Sequence, residues 1–585
     1  MTEDEKMQSV FRIEAGRVSA EYQKALQRGD EERFVERLFA CDAEVFGKSG
    51  EALKSIENRL GWLPVVESMA QEAQHLREFA DSVIAEGVKH LVVLGMGGSS
   101  LAPETFAKIF HTRGALDTID ILDSTYPPMI AGLMSRIDLG KTLFIVASKS
   151  GKTVETLSQA RFFLERVKEL NGAEAGKQFV ATTDPGSFLE KFAKENNFRR
   201  VFLNPPDIGG RYSALSYFGL VPASFTRADL SALLASATNG YQRLKEQSAS
   251  QNSAYQLGAL WGVCSEAGMD KLTIITSKTP APLAPWIEQL VAESTGKEGK
   301  GVVPVEGEPS AEFAEYGADR VFLFLTVAGE EDEALKKLRE EAFRAGASVA
   351  SIQWQSPAAV GFEFLRQEVA TATAGFVLGI NPFDEPNVQE SKDNTAKILT
   401  ELEESGHLPQ PALQNLWDGL GIYEIGEVGA LEKDELKTPA KAIKRFFTGL
   451  RKDSYVALLG YFERTAKTER ALENLRSIIR SKFGVATLRG YGPRYLHSIG
   501  QLYKGGPAQG QFIVITGPDA DELAIPEASY NFNQLILAQA LGDTGAYVKR
   551  NLPTLMLKAT EAPETAIDFL AAQIDMAFAE TVTHA

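Results

Sequence analysis

The segment HLVVLGMGGSSLAPETFAKIF, residues 90–110, contains an apolar run, a glycine-rich turn and a helix-like stretch, in that order. A short apolar run that ends at a glycine turn, such as HLVVLG (90–95), predicts a buried strand. Further runs of this kind follow, each separated from the next by enough residues for a crossover helix: IDILD (119–123), TLFIVAS (142–148), FVATT (179–183) and RVFL (200–203). The sequence therefore predicts an α/β domain with a doubly wound parallel sheet that has helices on both faces.

Similar apolar runs occur in two later parts of the chain. One group begins after about Asn252, with LTIITS (272–277), VVPVE (302–306), RVFLFLTV (320–327) and ASVASIQW (347–354). The other contains YVALLGYF (455–462), VATLRG (485–490) and QFIVITG (511–517). We therefore expect a second parallel α/β unit and a third α/β unit at the C-terminus.

Two regions lack this strand pattern. The stretch up to Trp62 indicates amphipathic helix, as in EERFVERLFACDAEVF (31–46), and prolines punctuate the polar ESGHLPQPAL (404–413). The predicted organisation is an N-terminal helical segment (1–62), a first α/β domain (63–250), a second (251–400), a linker (401–439) and a C-terminal α/β domain (440–585).

Composition narrows the function classes. The chain has 585 residues, of which 44% are hydrophobic and 24% charged, and its 61 basic and 78 acidic residues give a formal charge of −17. Such an acidic chain has no general attraction for nucleic acid or an anionic membrane, so any phosphate must be held by a local site. Two cysteines, Cys41 and Cys264, exclude a disulfide framework. With no apolar run of about 18 residues and an acidic N-terminus, we expect a soluble, cytoplasmic protein.

Two glycine- and serine-rich loops are candidate anion sites. In GMGGSS (95–100), the glycines Gly95, Gly97 and Gly98 allow close backbone approach, and Ser99 and Ser100 could cap the following helix. SKSGKTVET (148–156) offers the hydroxyls of Ser148, Ser150 and Thr153 at a helix start. It lacks the spacing of a nucleotide P-loop, so a sugar phosphate fits better than ATP. The alternative is a capped helix with a solvated lysine.

These loops belong to a set of motifs that resembles the phosphoglucose isomerase family. LGMGGSSLAPE, SKSGKTVET and DIGGRYSALSYFG (207–219) look like its sugar-isomerase signatures, and ESTGKEGKGVVPVEGEP (293–309) and INPFDEPNVQESK (380–392) resemble its later motifs, in the family's order. The resemblance implies SIS-type domains at 63–250 and 251–400. It also implies reversible conversion of D-glucose 6-phosphate to D-fructose 6-phosphate through a cis-enediolate, in glycolysis and gluconeogenesis, without a cofactor or metal.

The rest of the chain has its own resemblance. This C-terminal part of the chain, which includes GYGPRYLHSIGQLYKGGP (490–507), is similar to the isomerase part of fused transaldolase–phosphoglucose isomerase proteins. The segment before the first isomerase strand is too short for a transaldolase barrel of about 250 residues, so we expect no transaldolase activity.

The resemblance also assigns roles residue by residue. It implies that Arg211 stabilises the enediolate, that Glu308 shuttles the proton and that Lys392 contacts the sugar ring. The residues that would bind the phosphate are Ser148, Lys149, Ser150 and Thr153, and those of the substrate-binding loops are Gly97, Gly98, Ser99 and Gly210. The alternatives are a loop arginine paired with Asp207, a solvated acidic turn, and a surface lysine on a helix.

Ring opening in the family usually needs a histidine between the catalytic glutamate and the C-terminal lysine. This chain has no histidine between Glu308 and Lys392, and its six histidines are scattered without metal-ligand spacing. His497, in PRYLHSIGQLYKGGP, follows a predicted strand in a glycine-rich segment. This segment resembles the histidine–glutamine segment that the family has just after its glutamate motif, displaced here into the third unit. We therefore predict His497 as the ring-opening acid or base, with a structural role as the alternative.

Other functions stay open from the sequence. A regulatory sugar-phosphate-binding protein would keep the loops without turnover, although Arg211, Glu308 and Lys392 argue against it. An isomerase of a related aldose or ketose phosphate, such as mannose 6-phosphate, is also compatible. The expected partner is a small sugar phosphate, with no nucleic acid and no membrane, and the chain is expected to be a monomer or a homodimer.

Overall fold

The computed structural model describes residues 9–408, 413–417, 419–423 and 438–578. They form two compact units. The first comprises the residues up to Asp123 together with Leu133–Glu306 and Arg320–Glu385; the second comprises Ser124–Gly132, Gly307–Asp319 and the residues from Pro386 onward.

The first unit contains two five-stranded sheets. The strands of one are all parallel, in the spatial order β3-β2-β4-β5-β6: β2 His90–Gly95, β3 Thr118–Leu122, β4 Thr142–Ala147, β5 Phe179–Thr183 and β6 Arg200–Leu203. The other has the order β1-β10-β9-β7-β8: β1 Ser9–Glu14, β7 Lys271–Thr276, β8 Val303–Val305, β9 Arg320–Val327 and β10 Val349–Trp354. Its strands are parallel except β1, which pairs antiparallel with β10.

The second unit contains a six-stranded sheet in the order β11-β12-β16-β15-β13-β14. Its strands are β11 Leu413–Trp417, β12 Leu420–Tyr423, β13 Tyr455–Tyr461, β14 Ala486–Tyr491, β15 Gly510–Thr516 and β16 Thr554–Ala559. The four strands β13 to β16 are parallel, and β12 joins them antiparallel. Both sheets of the first unit and this sheet are therefore of the α/β type.

Helices separate most of the consecutive strands along the chain. In chain order they are α1 Ser19–Glu31, α2 Phe34–Phe39, α3 Gly50–Glu57, α4 Val65–Ala85, α5 Gly98–Phe110, α6 Pro127–Arg136, α7 Val154–Asn171, α8 Phe188–Glu195, α9 Tyr217–Ala223, α10 Leu230–Glu246, α11 Ser253–Glu266, α12 Ala284–Thr295, α13 Glu333–Arg344, α14 Val360–Leu378, α15 Val388–Ser405, α16 Pro439–Phe447, α17 Ala466–Phe483, α18 Gly500–Gly505, α19 Phe532–Lys549 and α20 Pro563–Ala577. None of the helices in the described ranges is long and apolar enough to cross a membrane.

The central strands explain why the sequence pattern was so clear. Every residue of β2, β4 and β9 is buried, which is what parallel strands covered on both faces require. These strands correspond to the predicted apolar runs HLVVLG, TLFIVAS and RVFLFLTV. The prediction of a doubly wound α/β fold is confirmed.

The structure differs from the prediction in the N-terminal segment and in the linker. The N-terminal segment (1–62) is not wholly helical, because β1 lies within it and is an edge strand with alternating burial. The stretch 31–46 is not one helix, since Arg33 takes a left-handed backbone conformation (φ 53°) between α1 and α2. The predicted linker (401–439) begins inside α15 and contains β11 and β12; residues 409–412, 418 and 424–437 lie outside the described residues.

The strand β16 was also missed. TLMLKA is a short apolar run, but the sequence analysis assigned no strand after QFIVITG. The boundaries of the predicted domains 63–250, 251–400 and 440–585 stay predictions.

Candidate active site

The loop after β4 has the hydroxyl-rich geometry expected of a phosphate site. The hydroxyls of Ser148 and Thr153 lie 3.0 Å apart, and the backbone N–H of Gly151 donates to Ser148 Oγ at 3.1 Å. Gly151 has φ of +68°, and a Cβ there would lie 2.3 Å from the Leu189 nitrogen, so the tight turn requires glycine. The loop leads directly into α7, whose N-terminal amides add to its capacity to bind an anion.

The side chain of Lys149 forms contacts outside this loop. Its ammonium forms an ion pair with Asp184 and donates to the Pro206 carbonyl at 2.7 Å. Burial raises the pKa of Asp184, against the opposing effect of the Lys149 charge. The alternative of a freely solvated lysine is therefore wrong, because Asp184 and the Pro206 carbonyl hold the ammonium.

The glycine loop after β2 packs closely against the turn that carries Arg211. A Cβ on Gly98 would lie 1.9 Å from the Gly210 carbonyl oxygen, and Gly97 has a backbone conformation (φ 56°, ψ −123°) that essentially only glycine adopts. The helix α5 begins at Gly98, with Gly97 rather than a serine as its N-cap. The expectation that Ser99 or Ser100 caps this helix was therefore wrong, because both serines already lie in its first turn.

The strand register brings these loops to one edge of the sheet. Gly95 at the end of β2 is aligned with Ala147 at the end of β4, and the carboxyl ends of β5 and β6 lie at the same edge. The segment after β6 contacts both loops, through Pro206 to Lys149 and through Gly210 to Gly98. The carboxyl edge of a doubly wound sheet is where such folds bind ligands.

Arg211 lies in a short 3-10 helix, Gly210–Tyr212, and is only 3% exposed. Its Nε donates to Ser294 Oγ at 2.7 Å and its Nη1 to Glu385 Oε2 at 3.0 Å. Its Nη2 donates to the carbonyls of Pro382 and Asp384, both at 3.0 Å. The alternative of a pair with Asp207 is therefore wrong, and Arg211 instead joins the ESTGKEGKG and INPFDEP motifs.

The positive charge of Arg211 lies close to two carboxylates and lowers the pKa of one of them, Glu385. Glu293 Oε1 lies 3.4 Å from its Nη1, near the bonded Glu385. Burial tends to raise the pKa of Glu385, but the Arg211 charge and hydrogen bond outweigh it, so the pKa lies below its usual value. Two carboxylates thus neutralise a buried guanidinium in this site.

Lys297 is a second buried cation, and it was not among the predicted site residues. It is 2% exposed, and its ammonium donates to the Asn381 carbonyl and to Asp384 Oδ1, both at 2.7 Å. Burial, followed by the charge of Arg211, lowers the pKa of Lys297 to about 8 against the effect of Asp384. Its place in ESTGKEGKG was the available signal, but nothing in the sequence distinguished it from the motif's other lysine, Lys300.

Glu308 lies in the second unit and is not the solvated acid of an exposed turn. Its side chain is 1% exposed. Its Oε1 accepts hydrogen bonds from the backbone N–H of Thr487 at 2.9 Å and from the Thr487 hydroxyl at 2.8 Å. The solvated alternative is therefore wrong, and β14 fixes the orientation of the carboxylate.

The remaining two predicted residues also lie in the second unit. Lys392 is exposed in the first part of α15, whereas the preceding Ser391 is buried and bonds to Asp543 at 2.8 Å. His497 ends the 3-10 helix Arg494–His497 that follows β14, and it is partly buried. The same region includes Gln501, whose amide exchanges two hydrogen bonds with Asn387, each 2.8 Å long.

The second unit also has a buried ion pair that sequence reasoning missed. Lys504 donates to Asp543 Oδ1 at 2.9 Å and to Ser391 Oγ at 2.8 Å, and both charged side chains are fully buried. Tyr495 donates to Asp543 Oδ2 at 2.6 Å. This network joins α15 to the segment that carries His497. Across the described ranges, no group of three or more His, Cys, Asp or Glu side chains is placed to hold a metal ion.

Loops of this kind at the carboxyl edges of doubly wound sheets define a sugar-isomerase type of fold. The structure is similar to that of a glucose-6-phosphate isomerase from Chlamydia trachomatis, with a TM-score of 0.55 over 68% of this chain and 89% of that chain, at 19% identity. A hypothetical protein from Thermus thermophilus matches with the same TM-score at 25% identity, over 68% of this chain and all of that chain.

The sequence comparisons specify the family. The family model described as phosphoglucose isomerase matches residues 18–317, just over half of the chain, so the chain belongs to the phosphoglucose isomerase family. Among curated relatives, a glucose-6-phosphate isomerase of Rubrobacter xylanophilus is 29% identical over 59% of this chain and 93% of its own length. A probable glucose-6-phosphate isomerase of Methanococcus maripaludis is 28% identical over 59% of this chain and 86% of its own length.

Proposed function

We propose that this chain catalyses the reversible isomerisation of D-glucose 6-phosphate and D-fructose 6-phosphate. The observation that carries the proposal is the meeting of the Ser148–Thr153 loop, the Gly97–Gly98 turn and the Arg211 turn at one sheet edge. Membership of the phosphoglucose isomerase family supports the same reaction.

The phosphate end of the substrate would bind at the start of α7. The hydroxyls of Ser148, Ser150 and Thr153 and the loop amides are donors that suit a dianion. Because the Lys149 ammonium is held by Asp184, Lys149 would contribute its backbone amide. Gly98 packs against Gly210, and Gly210 has open space where a side chain would lie, so the sugar would approach the backbone there, with Gly97 and Ser99 beside it.

The proton transfer requires a base and an electrophile. Glu308 would remove the proton from C2 of the open-chain aldose and return it to C1, through a cis-enediolate. Arg211 would stabilise the negative charge that develops on the enediolate oxygens. Since Glu385 and two carbonyls occupy its donors in this structure, binding of substrate would replace some of those bonds.

Ring opening comes before proton transfer. We assign it to His497 as the acid or base and to Lys392 as a contact of the sugar ring. The half-buried position of His497 after β14 and the exposure of Lys392 leave both side chains within reach of solvent.

A coupled assay tests the proposed function. Purified protein is given fructose 6-phosphate, and the glucose 6-phosphate formed is followed through a glucose-6-phosphate dehydrogenase that reduces NADP. We expect continuous turnover that depends on the protein concentration. Binding of fructose 6-phosphate by calorimetry without turnover would instead identify a regulatory sugar-phosphate-binding protein. Faster turnover of mannose 6-phosphate than of glucose 6-phosphate would identify the related isomerase.

We also propose a cytoplasmic location and a monomeric or homodimeric state. The low cysteine content, two residues in 585, supports the location. Light scattering at micromolar concentration distinguishes one chain from two.

A further inference from the structure

The edge of the six-stranded sheet is covered by the segment that carries Glu308. The strand β14 is the last of the sheet and pairs with β13 on one side. On its other side, the Thr487 N–H donates to the Glu308 carboxylate instead of to a strand. An edge N–H is a fixed backbone donor, so it holds the acceptor in a defined place.

A buried arginine connects the same threonine to the same segment. Arg476 of α17 is fully buried, and its Nη1 donates to the Gly307 carbonyl at 2.6 Å. Its Nη2 donates to the Thr487 carbonyl at 2.7 Å and its Nε to the Thr487 hydroxyl at 3.3 Å. Because this hydroxyl donates in turn to Glu308 Oε1, the three groups form a polarised chain that ends at the carboxylate.

A second arginine of α17 faces the other carboxylate oxygen. Arg480 Nη1 lies 3.9 Å from Glu308 Oε2 and also donates to the Pro309 carbonyl. The side chain of Arg480 is 4% exposed, so solvent screens this charge little. Gly307 takes a φ of +53°, and a Cβ there would lie 3.0 Å from Arg489 Nη2. The residues on both sides of Glu308 are therefore fixed as well as its carboxylate.

We propose that Thr487, Arg476 and Arg480 are positioning residues for the catalytic carboxylate of Glu308. The C-terminal α/β region would then contribute to catalysis, because its hydrogen bonds hold the base in one orientation. This inference rests on the proposed isomerase function and on the role of Glu308 in it. A base displaced by about 1 Å loses much of its rate, whereas substrate affinity is set by other contacts.

Thr487→Val tests the proposal with a nearly isosteric change in a buried strand. It removes the hydroxyl bond to Glu308 and keeps the N–H bond. A hydrogen bond to a charged group corresponds to roughly a ten- to hundredfold effect on a rate. We expect kcat for fructose 6-phosphate to fall by about that factor, KM to change less than about twofold, and Thr487→Ser to restore kcat.

Thr516→Val is the matched control. Thr516 is a buried threonine of β15 in the same sheet, and its hydroxyl contacts the Leu557 carbonyl rather than Glu308. We expect its kcat to equal that of the wild type. An unchanged kcat in Thr487→Val, or equal losses in both variants, would overturn the proposal. If Thr487→Val does not fold, Arg480→Gln takes its place: a fall in kcat at constant KM supports the inference, and an unchanged kcat contradicts it.

Different experimental results would contradict this inference and the proposed function. Wild-type protein without turnover in the coupled assay would contradict the isomerase function itself. Active wild-type protein whose Glu308→Gln variant keeps full activity would leave the isomerase function standing and overturn the positioning role.

Discussion

Lys297→Met should change how the stability of the first unit depends on pH. Burial lowers the pKa of Lys297 from 10.5 to about 8, although Asp384 opposes the change. Because the unfolded chain then binds more protons than the native chain between these values, native stability rises with pH in this window. Below about pH 8 the buried ammonium costs about 3 kcal/mol, and this cost disappears as the pH rises toward 10.5.

The methionine variant has no group to titrate at this position. The difference in unfolding free energy, wild type minus Lys297→Met, should therefore increase by about 1 kcal/mol between pH 7 and pH 9. Its absolute value also includes the lost hydrogen bonds to Asn381 and Asp384, but these do not depend on pH in the same way. The prediction is therefore tested by how this difference in unfolding free energy changes with pH, and not by its sign at one pH.

Urea unfolding followed by tryptophan fluorescence provides the assay. Four of the five tryptophans are buried in the first unit, at Trp62, Trp261, Trp286 and Trp354, so the signal reports mainly on that unit. In Asp384→Asn the pKa of Lys297 loses a partner that raises it, so the increase in stability should begin at lower pH. A difference between wild type and Lys297→Met that stays constant from pH 7 to pH 9 would refute the reasoning.

The other predictions concern the proposed active site. Glu308→Gln should keep the bonds from Thr487 and the KM for fructose 6-phosphate, while kcat in the coupled assay falls about 10²- to 10⁴-fold because the base is lost. Gly98→Ala would place a methyl group 1.9 Å from the Gly210 oxygen. Calorimetry should therefore show weaker sugar-phosphate binding, and thermal unfolding should show a free energy of unfolding that is lower by about 1–3 kcal/mol. His497→Asn should slow turnover of the cyclic sugar but spare proton exchange at C2 of an open-chain substrate, measured by NMR in deuterated water.

Each of these variants has a matched control. Glu306 is the acidic residue two positions before Glu308, and Glu306→Gln should keep turnover. If Glu306→Gln loses turnover and Glu308→Gln keeps it, Glu306 is the base. Gly545→Ala, in α19 with no heavy atom within 4 Å of the added methyl, should be neutral or stabilising. His407→Asn changes an exposed histidine and should leave both rates unchanged. If His497→Asn also leaves both rates unchanged, ring opening does not involve His497.

The elements whose environment is uniform along the chain could be predicted from the sequence alone. The strands β2, β4 and β9 are buried on both faces, so each is a continuous apolar run that can be recognised without its neighbours. The loops after β2 and β4 were equally recognisable, because their glycines and hydroxyls are consecutive in the chain. Family membership followed from the order of such local motifs.

The partner of each polar side chain, in contrast, depends on how the chain folds in space. Lys149 bonds to Asp184, 35 residues away, and Glu308 bonds to Thr487, 179 residues away. The edge strand β1 pairs with β10 more than 300 residues later, and its half-buried, alternating pattern is weak when read alone. Burial, ion pairs and edge pairing depend on distances in space that residue spacing does not encode, so Arg211 could be identified from its motif but its carboxylate partners could not.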